Sequence, residues 1–294
     1  MGPERRGLTI EGLVRYEQCP RRYELRDVLG QPRGDTFSRR YRRVLHEVAE
    51  WLQRRALGAW RRGRRAGERL ELARYAPPLS RVIAEFWRRW REAERAQPLP
   101  EPPNAAWATR QRRDLENLPA MLGMLSDHLL GDLIVVVGED FGGRQDRWTG
   151  SPGLRVTAQT ILSGRIDRIV ERDGSLVVED LRAGRRRCDV ATLPFDLRLN
   201  LWALAAEEFI GEADALAIYD LRRSEVVQVP YRRAVALHLM DEVVAPLAAM
   251  IEQGHFPKTP DCGWGCRYCE CFGACWDEAP LSLPGVGASG SRAA

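Results

Sequence analysis

Lysine is nearly missing from this chain: all but one of its 45 basic residues are arginine, the exception being Lys258. Long apolar runs are missing too, since stretches such as residues 133–137 fall far short of the ~20 residues that a membrane-crossing helix needs. The opening Met1-Gly-Pro-Glu-Arg-Arg leads into no apolar secretory segment, and no internal repeat is visible. These absences argue against a membrane-spanning or secreted protein, and the expectation is a cytoplasmic chain with no membrane partner. A net charge of +4 over 294 residues does not demand an acidic partner. The arginine bias most simply reflects a GC-rich genome. It nevertheless supplies many guanidinium forks suited to phosphate, so nucleic acid is a permitted partner.

At 33.4 kDa the chain is long enough for one large domain or two small ones, each with a real core. Thr9 is a candidate N-cap for a short amphipathic helix ending near Cys19-Pro20. From Ser38 a helical stripe of Tyr41, Val44, Leu45, Val48 and Leu52 follows, with His46 at its edge. Further helical patterns cover 64–74, 78–96 and 108–130, with Arg62, Arg64, Arg65, Arg88, Arg89 and Arg91 as candidate backbone contacts for nucleic acid or as a solvated face. The period changes at Asp132. Strands are expected over 133–138, 154–162, 164–171 and 176–181, a helix over 195–209, strands over 213–221 and 225–229, and a long amphipathic helix over 232–252. The mixture predicts an α/β chain built on one mixed sheet with helices around it.

Two apolar-rich runs flank Asp173-Gly174, the strongest short-range signal for a tight hairpin. A two- or four-residue turn places Asp167 opposite Asp180, whereas a three-residue turn breaks that pairing. Carboxylates so placed have Cβ atoms roughly 4.5–5.5 Å apart and repel, so a positive charge belongs between them. Strand alternation puts Arg182 on the face of Asp180, Ile169 opposite Val178 beside the carboxylates, and Ile166 opposite Leu181 and Arg168 opposite Glu179 on the reverse. Two carboxylates holding a divalent cation beside an arginine suit attack on a phosphodiester. An ordinary surface hairpin with two solvated aspartates fits this stretch equally well. The permanent charge of Arg182 is expected to lower the pKa of both aspartates and to compete with a bound cation.

Five of the seven cysteines lie between Cys262 and Cys275, the others in that group being Cys266, Cys269 and Cys271. In a chain read as cytosolic such clustering points to a metal centre rather than disulfides. Zinc is one option, although no clean second pair of thiolates is present. An iron–sulfur cluster is the other, with the distant Cys19 as a candidate fourth ligand. By themselves Cys19 and His46 read as packed side chains. The tail after Trp276 is expected to be disordered.

Taken in order, Tyr16, Cys19, Pro20 and Tyr23, then Val44-Leu-His-Glu around His46, then Gly164-Arg-Ile-Asp-Arg-Ile with a preceding glutamate at Glu139, then Asp180-Leu-Arg182, then Cys266, Cys269 and Cys275, resemble the boxes of RecB-family nucleases. These belong to the PD-(D/E)XK superfamily, and the similarity is to its iron–sulfur branch of AddB-type and CRISPR-associated members. The resemblance implies the PD-(D/E)XK fold: a mixed central sheet flanked by helices, with a helical insertion and a cysteine-rich C-terminal segment. The expected division is 1–54 for the first helices, 55–131 for the insertion, 132–254 for the core, 255–280 for the cysteine-rich segment and 281–294 for the tail. It implies Mg2+ or Mn2+ on His46, Asp167 and Asp180, a catalytic set that adds Arg182, a structural [4Fe–4S] cluster on Cys19, Cys266, Cys269 and Cys275, and Arg198 and Trp202 toward DNA. Two positions depart from the pattern. Arg182 replaces the family's lysine, and Arg198-Leu-Asn-Leu-Trp202 replaces Q-x-x-x-Y. The implied function is a metal-dependent DNA nuclease acting on ends or single strands in repair or defence, with a helicase or other repair subunit as a partner. The alternative is a weakened or inactive DNA-binding scaffold with the same fold.

Overall fold

The computed structural model describes residues 7–31, 34–63, 72–102, 104–141, 153–157, 160–184, 188–258, 266, 269 and 271–276. Cys262, Arg64, Arg65 and the expected tail at 281–294 lie outside these residues. Strand β4 (Ile161–Arg172) gathers most of the sheet around it. β1 (Gly7–Thr9) runs parallel to its first part, β3 (Leu154–Arg155) antiparallel to the same part, and β2 (Leu133–Phe141) antiparallel along the rest. β5 (Ser175–Arg182) joins it as a hairpin, β6 (Ala215–Asp220) lies parallel to β5, and β7 (Glu225–Pro230) is antiparallel to β6. The result is a mixed sheet flanked by helices, the expected fold class.

The hairpin turn follows from its residues. Asp173 and Gly174 both adopt positive φ, 53° and 77°, the conformation that a two-residue turn needs and that Asp-Gly tolerates. The ladder then pairs Arg172 with Ser175, Ile169 with Val178 and Arg168 with Glu179, as expected. Ile166 departs from the expected side, since it packs in the same core as Ile169 and Val178 while Leu181 belongs to another. Residues 161–172 also form one strand instead of two. Gly164, expected to open the second of those strands, sits within the single strand, where a Cβ would lie 3.0 Å from the Phe141 ring. The glycine admits a close neighbour there rather than reversing the chain.

α1 (Ile10–Gln18) starts where Thr9 accepts the Gly12 N–H at 2.9 Å, and α2 (Pro20–Tyr23) follows Cys19. α3 (Phe37–Gly63) is one helix that continues past residue 54. Its stripe of Tyr41, Val44, Leu45, Val48 and Leu52 is fully buried, each such aliphatic side chain contributing about 1.5–3 kcal/mol. α4 (Leu79–Ala96) buries Val82, Phe86 and Trp90 against it. The helix expected over 108–130 is two, α5 (Ala105–Glu116) and α6 (Leu118–Gly131), because Pro119 fits a first turn but not a helix interior. α7 (Leu197–Ile210) begins after Asp196, whose side chain accepts the Leu199 N–H at 3.1 Å.

Arg233–Glu252 forms a continuous 20-residue helix. Against the sequence expectation, its length and composition suffice to cross a membrane. Here it packs Ala236, Val244 and Ala248 into the core and leaves Asp241 and Glu242 exposed. One large core joins α1, α7 and this helix to the sheet, and a second joins α3, α4 and α6 to it. The outer arginines of α4 are largely neutralised: Arg88 pairs with Glu85 and Glu92 at 2.6 Å, and Arg89 with Glu85 and Glu47. That weakens their reading as phosphate contacts.

Candidate active site

β5 presents alternate residues to opposite faces, and Asp180 points toward the side carrying α1 and α7, as does Val178 beside it. Asp180 is fully buried. Asp167 approaches from β4, accepts the Leu181 N–H at 3.0 Å, and lies 3.7 Å from Nδ1 of His46 on α3. Gly138 falls between the pairs Val137–Arg168 and Glu139–Ile166, opposite Asp167. Its φ of +55° and the 2.7 Å that a Cβ would leave to Glu50 Cδ admit only glycine at this point. The side chain of Glu139 lies outside the described residues.

Arg182 points into the site as expected. Its Nε donates to Asp180 Oδ2 at 2.6 Å, and Nη2 donates to Asp196 Oδ2 at 2.6 Å. Arg198, the second residue of α7, reaches Asp180 Oδ2 at 3.4 Å and lies over the Trp202 ring, 5.8 Å from its centroid. Trp202 itself is 2 % exposed and belongs to the core, so it cannot present a face to DNA. Helical spacing brings it under Arg198 and away from solvent.

The expectation that Arg182 lowers both aspartates holds for one of them. At Asp180 burial acts upward, but Arg198 and Arg182 outweigh it and hold the carboxyl at about 2. Asp167 goes the other way: burial, then the Asp180 charge, push it well above the usual carboxylate range despite the Leu181 N–H. Arg182 touches Asp180 and not Asp167. The two carboxylates are thus pushed in opposite directions, the arginines favouring the charged form of Asp180, and burial with the Asp180 charge disfavouring that of Asp167. Burial also pushes His46 down, with Arg198 and Arg42 acting in the same direction and Asp180 against them.

Asp180 Oδ1 is buried with no fixed hydrogen-bond donor. An orphaned acceptor beside a second carboxylate and an imidazole suits a hard divalent cation with oxygen and nitrogen ligands. The donor types suit such an ion, but among the described residues no group of three or more His, Cys, Asp or Glu side chains is placed to hold a metal ion.

Of His46, Asp167 and Asp180, the histidine opens onto a cleft of about 500 Å3, whose lining also includes Glu17, Arg42, Arg182, Phe195, Asp196 and Arg198, while Asp180 lies buried behind it. Glu17, Arg42, Phe195 and Asp196 were not singled out from sequence. Only Asp196 carried a local signal, as an N-cap residue ahead of a helix.

The cysteines converge less tightly. Cys19 ends α1 and, with Cys266, Cys269 and Cys275, is half-buried. The Cys275 thiol is pushed up by burial, with Cys19 and Cys266 close enough to add to the shift against Lys258 and Arg21. Cys271 is buried, and its N–H donates to Cys269 Sγ at 3.4 Å. Aromatic packing also ties the chain ends together. The ring centroids of Tyr16 and Tyr23 lie 6.1 and 6.0 Å from that of Phe256, and the Tyr16 hydroxyl donates to the His255 carbonyl.

No curated protein matches the chain. A solved structure titled "Crystal structure of SSO0001" is similar at 13% identity over 76% of this chain and 94% of that one, with a TM-score of 0.27, too low to bear on the fold. The model of the PD-(D/E)XK nuclease superfamily matches residues 8–276, which takes in the hairpin, the His46 helix and both groups of cysteines. The chain belongs to the PD-(D/E)XK nuclease superfamily.

Proposed function

We propose that the chain is a RecB-type DNA nuclease whose cation is held by His46, Asp167 and Asp180. The observation that carries this is the buried Asp180 carboxylate set against Asp167, with no N–H donor on its Oδ1. Nucleases of this superfamily generally use Mg2+ or Mn2+, which when bound polarises the scissile phosphate and lowers the pKa of its water. The chain's own groups orient and charge the cleft. Arg198 and Arg182 supply positive charge toward a phosphate, and Asp196 keeps Arg182 from closing wholly onto Asp180. His46 is held in its neutral form, as a ligand nitrogen requires.

The finer assignments rest on the resemblance of the boxes: action on DNA ends or single strands, a place in repair or defence beside a helicase, and a [4Fe–4S] cluster on Cys19, Cys266, Cys269 and Cys275. Cys275 lies within electrostatic reach of Cys19 and of Cys266, which favours a shared site, although among the described residues no three cysteines are grouped to hold a metal. Anaerobically purified protein should contain iron and sulfide in cluster stoichiometry and lose both in Cys19→Ala. Zinc alone would refute that assignment.

The deciding experiment is incubation of single- and double-stranded DNA with Mn2+, with Asp180→Ala as control. Cleavage by the wild type alone supports the nuclease. A second reading, a DNA-binding scaffold without catalysis, is favoured by the double pairing of Arg182 where the family has lysine. Binding without cleavage in wild type and in Arg182→Lys would establish it.

A further inference from the structure

Phe195 is 61% exposed, the highest value among the exposed large hydrophobic side chains of the described residues. A lone surface phenylalanine says nothing by itself; its setting does. It lies in the wall of the cleft that also holds His46, Arg182 and Arg198. The turn that carries it is fixed from both sides, with Leu193 buried in the core and Asn200 Nδ2 donating to the carbonyls of Pro194 at 3.0 Å and Asp196 at 2.9 Å. The Phe195 N–H donates to the Thr192 carbonyl at 3.0 Å. The ring is thus held in water by a rigid turn instead of folding inward. Other parts of the lining are small, Ala183, Gly184 and Thr192, and a Cβ added at Gly184 meets nothing within 4 Å.

We infer that Phe195 is the side chain of the cleft on which an unpaired base stacks. The inference rests on the nuclease reading above, with its action on ends or single strands, and names the residue that receives the base. Every base offers a π-face, so an aromatic platform beside arginines binds a single strand with little sequence preference. In a duplex those faces are occupied by neighbouring bases. The site then divides the work: Arg198 and Arg182 face the phosphate, and Phe195 receives the base.

The test measures affinity of the full chain, in EDTA, for a labelled single-stranded oligothymidylate and for a blunt duplex of equal length. Phe195→Ala should weaken single-strand binding by about 5- to 100-fold, the size of one base–aromatic stack, and leave duplex binding and the thermal melt unchanged. Phe195→Trp should restore the single-strand affinity. Equal affinity of wild type and Phe195→Ala for the single strand, or equal losses on both probes, would overturn the platform. Wild type that cleaves DNA while Phe195→Ala binds unchanged sinks only this inference. Wild type that neither binds nor cleaves any DNA sinks the nuclease reading together with it.

Discussion

Glu179 and Asp180 are neighbours on one strand, both fully buried and both held at about 2, yet they serve opposite faces of the sheet in opposite ways. Behind the sheet, Glu179 meets Arg168, Arg172 at 3.0 Å and His128 at 3.2 Å, while Asp132 takes Arg168 at 2.9 Å and Arg172 at 2.6 Å. His128 stacks on Tyr219 with ring centroids 3.7 Å apart, which fixes the imidazole against the network. This face is balanced in charge, and Arg168 leaves two donors, Nε and Nη1, without a hydrogen-bond partner. In front, Asp167, Asp180 and Asp196 meet Arg182 and Arg198, and the orphan at Asp180 is an acceptor. The rear cluster holds α6 to the sheet; the front cluster keeps a lone pair suited to a cation.

The largest test of this contrast is stability. Glu179→Ala removes one of the two carboxylates that balance Arg168 and Arg172, leaving Asp132 alone against both, and should cost about 3–5 kcal/mol in urea unfolding, whereas Asp180→Asn should cost less because Arg182 keeps Asp196 and part of its solvent. Similar losses would erase the distinction. Function should invert the ranking. Asp180→Asn should lower Mn2+-dependent cleavage by about a hundredfold or more, since even residues that merely support metal ligands cost about 10–100-fold.

Acidity sharpens the comparison, because Asp167 in front responds with the opposite sign to Glu179 behind, while Asp180 follows Glu179. Glu179 is depressed from 4.5 to about 2, so its contribution is complete above 4.5 and is lost as pH falls through that interval. Asp167 is raised above 3.8, so without metal its contribution is complete below 3.8 and is lost as pH rises through the elevated value. Unfolding in EDTA from acid to neutral pH should show Glu179→Gln reducing the acid-side loss, the remainder belonging to Asp180, and Asp167→Asn removing the loss on the rising side. Mn2+ affinity, in turn, should rise with pH as Asp167 gives up its proton.

The smallest effect is expected at Asp196. Asn caps a helix about as well as Asp, so Asp196→Asn should leave α7 intact while releasing one arm of Arg182 onto Asp180. Calorimetry should then report Mn2+ affinity about tenfold weaker, the low end for a supporting residue. Unchanged affinity would show that Asp196 is a cap and nothing more.

Local patterns were legible in the residues themselves. Asp173-Gly174 specifies a turn with two positive φ angles, and from it the pairing of Arg168 with Glu179 follows. The α3 stripe and the Thr9 cap were equally readable, because helix period and capping depend on residues within a turn of each other. The tertiary structure decided depth and partnership. Trp202 looks like a surface aromatic in its motif and is a core residue, and Asp167 and Asp180 look alike yet titrate apart. Asp196 meets Arg182, and Tyr16 meets Phe256 across most of the chain length. Those outcomes depend on which elements pack against which, and on how much water that packing removes, neither of which is written in the spacing of nearby residues.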